Sequence, residues 1–237
     1  MTGSRFVYSV VASSLHDQRA VDTLTAPVRG LLDDLGGAVV DLDRLGADPS
    51  APPQLFVVAT GGTERLLLDA ITRNAAGYPT VLVAHRGHNA LPAALEAMAA
   101  INQSGGRGRI VSLTGDVTAD RRALDEAVGD LEAVVAMRST RLGVIGGPSS
   151  WLVASSPTPD VVRRRWGPEV VTVEPTRMIE LTRTPVTPTG VLAERFTKVA
   201  DPVRSTVDRQ AVDNAMGVRA ALFDVMENYQ LDAVTVR

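Results

Sequence analysis

Short apolar runs alternate with helical stripes along this chain. Residues 6–12 form an apolar run of strand length, and Leu24, Val28, Leu31, Leu32 and Leu35 then recur three and four apart, as on one helix face. Gly36-Gly37 ends that helix, and 38–42 predicts a second strand. The stretch Asp48-Pro49-Ser50-Ala51-Pro52-Pro53 is a loop, because its prolines can continue neither a helix nor a ladder. Residues 55–59, 81–84 and 109–113 predict three further strands, each followed by a helical segment at about 63–75, 89–102 and 119–136. Short, uniformly apolar strands separated by helices belong in a parallel sheet covered on both faces. The fold expected is α/β and doubly wound.

A second unit is expected from residue 140. Residues 141–145 and 169–173 read as strands, with prolines punctuating the connections. The longest helical pattern runs over 207–229, where Ala211, Ala215, Val218, Leu222, Val225 and Tyr229 share a face, and 232–236 turns β-branched again. The organisation expected is therefore two α/β domains with parallel sheets, 1–139 and 140–237.

Composition narrows the function classes. With 45% hydrophobic and 22% charged residues in 237, the chain has the balance of a globular protein, and no apolar run reaches a bilayer-spanning length. There is no cysteine, hence no disulfide, thiolate nucleophile or cysteine-based zinc site. No secretory leader is legible at the N-terminus, so a reducing, cytoplasmic setting is expected. Net charge is −3, Lys198 is the only lysine, and Arg163, Arg164 and Arg165 read as a solvated helix face. Neither nucleic acid nor membrane is an expected partner.

Candidate chemistry concentrates where strands end. In open parallel sheets ligands bind beyond the carboxyl ends of the strands, at a switch in strand order. All three histidines lie in such loops: His16 after the first strand, His85 and His88 after the fourth. Thr60-Gly61-Gly62-Thr63-Glu64 follows the third strand, and its glycines permit a tight turn whose amides face an oxygen-bearing ligand. It is neither a Walker A loop nor a dinucleotide fingerprint. The substrate-binding set read from these loops is His16, Thr60, Gly61, Gly62, Thr63, Glu64, His88 and Asn89. Two of these have a plainer reading as helix caps, Thr63 and Asn89. Gly146-Gly147 with Ser149 or Ser150 offers a second place for a ligand or subunit, and Trp151 reads as a packing anchor. No catalytic triad, paired carboxylates or tight metal cluster is legible, so no catalytic or metal residue is assigned.

Three segments resemble the N-terminal and middle domains of L-fucose/L-arabinose isomerase-like proteins. They are Ala59-Thr-Gly-Gly-Thr-Glu64, His88-Asn-Ala-Leu-Pro-Ala-Ala-Leu-Glu96 and Arg141-Leu-Gly-Val-Ile-Gly-Gly-Pro-Ser-Ser-Trp-Leu-Val-Ala-Ser155. The closing Leu231-Asp-Ala-Val-Thr-Val-Arg237 is similar to the segment leading into that family's C-terminal domain. The resemblance implies flavodoxin-like (Rossmann-like) sheets, a homo-oligomer with sugar pockets at subunit contacts, and aldose–ketose isomerisation with Mn²⁺ or another divalent metal. It places the metal ligands in a C-terminal catalytic domain or partner chain, and no residue here matches them. The expectation is a substrate-enclosing portion that is inactive alone. The alternative is a stand-alone, two-lobed module binding carbohydrate or a small anion without catalysis.

Overall fold

The computed structural model describes residues 4–44, 52–73, 78–182, 194–195 and 209–236. The chain divides into two compact units, Met1–Val135 and Ala136–Arg237. Most of the 48–53 loop, together with Lys198 and the start of the 207–229 pattern, lies outside the described residues.

In the first unit five parallel strands alternate with helices: β1 (Phe6–Val11), α1 (Gln18–Asp34), β2 (Gly37–Val39), β3 (Gln54–Val58), α2 (Glu64–Arg73), β4 (Thr80–Ala84), α3 (Ala90–Gln103), β5 (Gly108–Ser112) and α4 (Val117–Ser139). The strand order is β2-β1-β3-β4-β5, with every pairing parallel. This is the flavodoxin-like order of a doubly wound sheet, with its reversal between β1 and β3. Every residue of β3 and β4 is buried, because these central strands are covered on both faces. One face packs Phe6, Tyr8, Leu55, Val57 and Val83 against Val28 and Leu32 of α1 and Leu124, Val128 and Leu131 of α4. The other packs Val11, Phe56, Val58 and Leu82 against Leu67 of α2 and the alanines of α3. Ala90, Ala93, Ala94 and Ala97 bring α3 close to the sheet, since a methyl group is all that separates the two backbones.

One boundary and one burial pattern differ from the sequence reading. The second strand is only Gly37–Val39, followed by a 3₁₀ turn at Leu42–Arg44. Its partner β1 extends past it, and the Val40 amide closes the ladder by donating a hydrogen bond to the Tyr8 carbonyl (2.9 Å). Leu24 and Leu31, expected within the buried stripe of α1, are only half covered.

The second unit has a three-stranded parallel sheet in the order β7-β6-β8, from β6 (Arg141–Ile145), β7 (Glu169–Val173) and β8 (Ala233–Val236). Its helices are α5 (Pro159–Trp166), α6 (Pro175–Thr182) and α7 (Arg209–Asn228). The buried stripe of α7 is Gly217, Ala221 and Val225, whereas Ala211, Ala215 and Val218 face solvent. The reason is a close helix approach: a Cβ on Gly217 would sit 3.0 Å from the Thr182 carbonyl of α6. The arginine cluster of α5 does more than solvate a face, for Arg163 Nη1 donates to the carbonyls of Gly167 (2.6 Å) and Arg138 (2.8 Å), closing the helix end. No helix among the described residues is long and apolar enough to cross a membrane.

Candidate functional site

The reversal between β1 and β3 separates two loops that a buried hydroxyl then ties together. Thr60 is fully buried, and its Oγ1 accepts the Ser13 amide (2.8 Å), linking the exit of β3 to the exit of β1. His16 lies on the resulting turn, its amide donating to the Ser13 carbonyl (3.0 Å). Asp17 then caps α1 by accepting the Ala20 amide (3.3 Å).

A third loop is fastened across the same edge. The Gly61 amide donates to the His88 carbonyl (2.8 Å), and a Cβ on Gly61 would come within 2.8 Å of Asn89 Cβ. His88 and Asn89 both adopt left-handed backbone, with φ of 51° and 56°. Two successive non-glycine residues there carry strain of about 1–3 kcal/mol each. Asn89 occupies the N-cap position of α3 but makes no side-chain capping bond. Asn89 instead lines an open cleft at this edge.

The three histidines form a row. The His88 ring lies edge-on to His16 (centroids 6.1 Å apart) and to His85 (6.0 Å). His85 is engaged: Nδ1 accepts the Gly87 amide (3.0 Å) while Nε2 lies 2.8 Å from the Ala59 carbonyl. An amide can only donate, so these bonds assign the proton to Nε2. His16 and His88 are exposed.

The side chains read from the sequence therefore meet on one rim, in two clefts sharing the His16–His88 pair. An open cleft of about 550 Å³ is lined by His16, Gly61, Gly62, Glu64, His88 and Asn89. A neighbouring one of about 470 Å³, along the start of α1, is lined by His16, Thr60 and His88. Thr63 turns inward, its hydroxyl donating to the Thr60 carbonyl (2.9 Å), so it shapes the turn and does not line either cleft. What single residues did not disclose is the stitching by Thr60 and the engagement of His85, since both depend on main-chain groups from other strands.

Neither a family model nor a curated protein matches this chain. Glu64 opens α2, where a carboxylate is favourably placed toward the helix dipole and has the capacity to accept hydrogen bonds. The first amides of α2 have no acceptor within their own helix. Asn89 offers both a donor and an acceptor, as does each neutral imidazole. Among the described residues no group of three or more His, Asp or Glu side chains converges to hold a metal ion, and both nitrogens of His85 are already in use. The divalent ion implied by the family resemblance does not fit the donor set present here.

In the second unit, Gly146 and Gly147 both have positive φ and turn the chain off the end of β6. Trp151 is not the buried anchor expected, being 73% exposed beside Val153 at 95%. Ser156 Oγ is buried in this region with no hydrogen-bond partner.

Proposed function

We propose that the rim of the first unit binds the hydroxyl groups of a sugar, and that the chain is the substrate-enclosing part of an aldose–ketose isomerase-like protein. The observation that carries this reading is the convergence of His16, Glu64, His88 and Asn89 at the strand-order reversal, with His88 and Asn89 held in strained backbone. Strain of this kind persists where the surrounding structure imposes it, and functional sites are where it collects. Glu64 decides between ligand classes. The amides at the start of α2 suit an anion, but a carboxylate in the same cleft repels one and instead accepts hydrogen bonds from neutral hydroxyls. A polyol matches the mixed donors and acceptors.

Isomerisation moves a proton between neighbouring sugar carbons while a divalent ion and carboxylates stabilise the charge that develops. The resemblance places those groups in a C-terminal catalytic domain or partner chain, and the rim would contribute orientation and exclusion of water. Leu15, 91% exposed beside His16, is the apolar residue a neighbouring subunit would cover on closing the pocket.

The test is a titration of the ¹⁵N-labelled protein with L-arabinose, L-fucose and inorganic phosphate, followed through the amides of 60–64 and 87–90. Saturable shifts with a sugar are expected, phosphate being weaker. His88→Gly should lose at least about tenfold in sugar affinity while folding as stably as the parent or better, because glycine relieves the left-handed strain. Silence of these amides toward both sugars, or tighter binding of phosphate, sinks the reading.

A further inference from the structure

Beside the rim, between α1 and α4, the same unit holds a cavity that the sugar reading does not use. The stripe of α1 is covered by α4 at Val28, Leu32 and Leu35, through Leu124, Ala127, Val128 and Leu131. Toward the carboxyl ends of the strands that cover stops. Leu24 and Leu31 of α1 are half exposed, and Val117, the first residue of α4, is 65% exposed. Between them lies a cavity of about 490 Å³, floored by Val57 and Val83 of the sheet and walled by Leu24, Leu31, Leu113 and Val117. That volume falls within the ordinary range of small-molecule sites, and such sites pair apolar walls with a few placed polar groups.

Its polar lining is Thr25, whose hydroxyl donates to the Val21 carbonyl, with His85, Arg86, Thr114 and Asp120, and the main unfilled capacity is on the donor side. Asp120 is the one carboxylate lining the cavity, and three of its about four acceptor sites are occupied. Oδ1 accepts the Thr114 amide (2.7 Å) and hydroxyl (2.9 Å), and Oδ2 accepts the Gly115 amide (3.0 Å). The Thr114 hydroxyl in turn accepts the Asp116 amide (3.2 Å). His85 reaches this wall with both ring nitrogens already bonded. Arg86 also lines the cavity; its positive charge offsets that of Asp120, which here, unlike Glu64 at the rim, does not stand alone against an anion. Among the described residues its guanidinium makes neither a close ion pair nor a hydrogen bond. A planar fork of donors at the end of an apolar slot is complementary to a carboxylate.

We infer that the cavity between α1 and α4 binds a compact apolar molecule bearing a carboxylate, its apolar body against Leu24, Leu31, Leu113 and Val117 and its carboxylate on Arg86. This site is independent of the sugar-binding reading. The two meet at the His85–His88 ring contact and at Leu24, which also borders the rim cleft along α1.

The test uses the full chain and two probes of one shape, 1-naphthoate and neutral 1-naphthalenemethanol, titrated by calorimetry and by ¹⁵N shifts. Naphthoate is expected to bind saturably, to shift the amides of 113–117, and to exceed the alcohol by about tenfold, the scale of one charge-assisted contact. Arg86→Gln should erase that preference and leave the alcohol unchanged. Val117→Trp, made at an exposed position so that folding is preserved, should fill the slot and abolish binding of both. Leu24→Trp provides a second filling variant, with circular dichroism as the check on folding. His88→Gly should leave naphthoate binding intact, which separates failure here from failure at the rim. The proposal is overturned by non-saturable binding, by filling variants that bind as the parent does, or by an Arg86→Gln protein that keeps the preference. Affinity that falls as protein concentration rises would also overturn it, by identifying a second copy of the chain as the occupant.

Discussion

At the rim, Gly61 and Gly62 are adjacent and required for different reasons. Gly61 has ordinary backbone, but a side chain there collides with Asn89 and disturbs the amide bond to His88. Gly62 has open space around it and a φ of +74°. Gly61→Ala is therefore expected to cost about 1–3 kcal/mol by steric displacement. Gly62→Ala should cost about 1 kcal/mol, and Gly62→Asn less, since asparagine tolerates left-handed backbone. Urea denaturation of the three variants distinguishes clash from conformation. Asp120 supplies the acid-side prediction. Burial alone would raise its pKa, but the Thr114 amide and hydroxyl, the Gly115 amide and the nearby Arg86 charge hold it below the usual 3.8. A depressed carboxylate stabilises fully above its unfolded value and loses that contribution as pH falls through the folded one. Asp120→Ala should cost about 2–4 kcal/mol at neutral pH by stranding its donors. The gap to the parent should narrow below pH 3.8 in acid titrations of stability.

Between elements, β1 and α1 are joined by a bond that titrates at the other extreme. Tyr8 is buried on the strand, and its hydroxyl donates to Asp33 Oδ1 of the helix (2.6 Å). Burial and this bond push the phenol from 10.0 up to about 12, against a smaller opposing pull from Arg29. The neutral phenol favours the fold fully below pH 10, and that advantage is lost as pH rises toward about 12. Tyr8→Phe should cost about 1 kcal/mol at neutral pH and remove both the alkaline decline and the late tyrosinate step in ultraviolet absorbance. Helix faces show how far periodicity carries. The α1 stripe lies on the core as its spacing predicts, yet Leu24 and Leu31 border a cavity. Periodicity names a face, and whether another element covers all of it depends on where that element begins. In α7 the buried ridge passes through Gly217 and Ala221, because close approach to α6 selects small residues over large apolar ones.

At the scale of the whole chain, the two units differ in how completely their sheets are enclosed. β3 and β4 are buried along their full length, whereas β6 alternates between buried and half-buried residues. Amides that exchange only through global opening concentrate in such enclosed strands. Hydrogen exchange is expected to show protection in β3 and β4 at least about tenfold above that in β6. Equal protection would mean that the second sheet is covered far better than its burial indicates.

The alternation of apolar strands and helical stripes by itself determined the doubly wound parallel sheet, because a strand apolar on both sides can only be satisfied between two helical layers. It also placed His16, Gly61, Gly62, Glu64, His88 and Asn89 together, since parallel strands deliver all their exit loops to one edge. Tertiary structure decided the rest. Only the folded backbone brings the Ala59 carbonyl to His85, the Ser13 amide to Thr60 and the Gly61 amide to His88. Only the packing of α1 on α4 leaves Leu24 and Leu31 half covered and bordering the same cavity as Arg86. Those outcomes turn on hydrogen bonds and close approaches between residues far apart in the chain, and no local pattern encodes them.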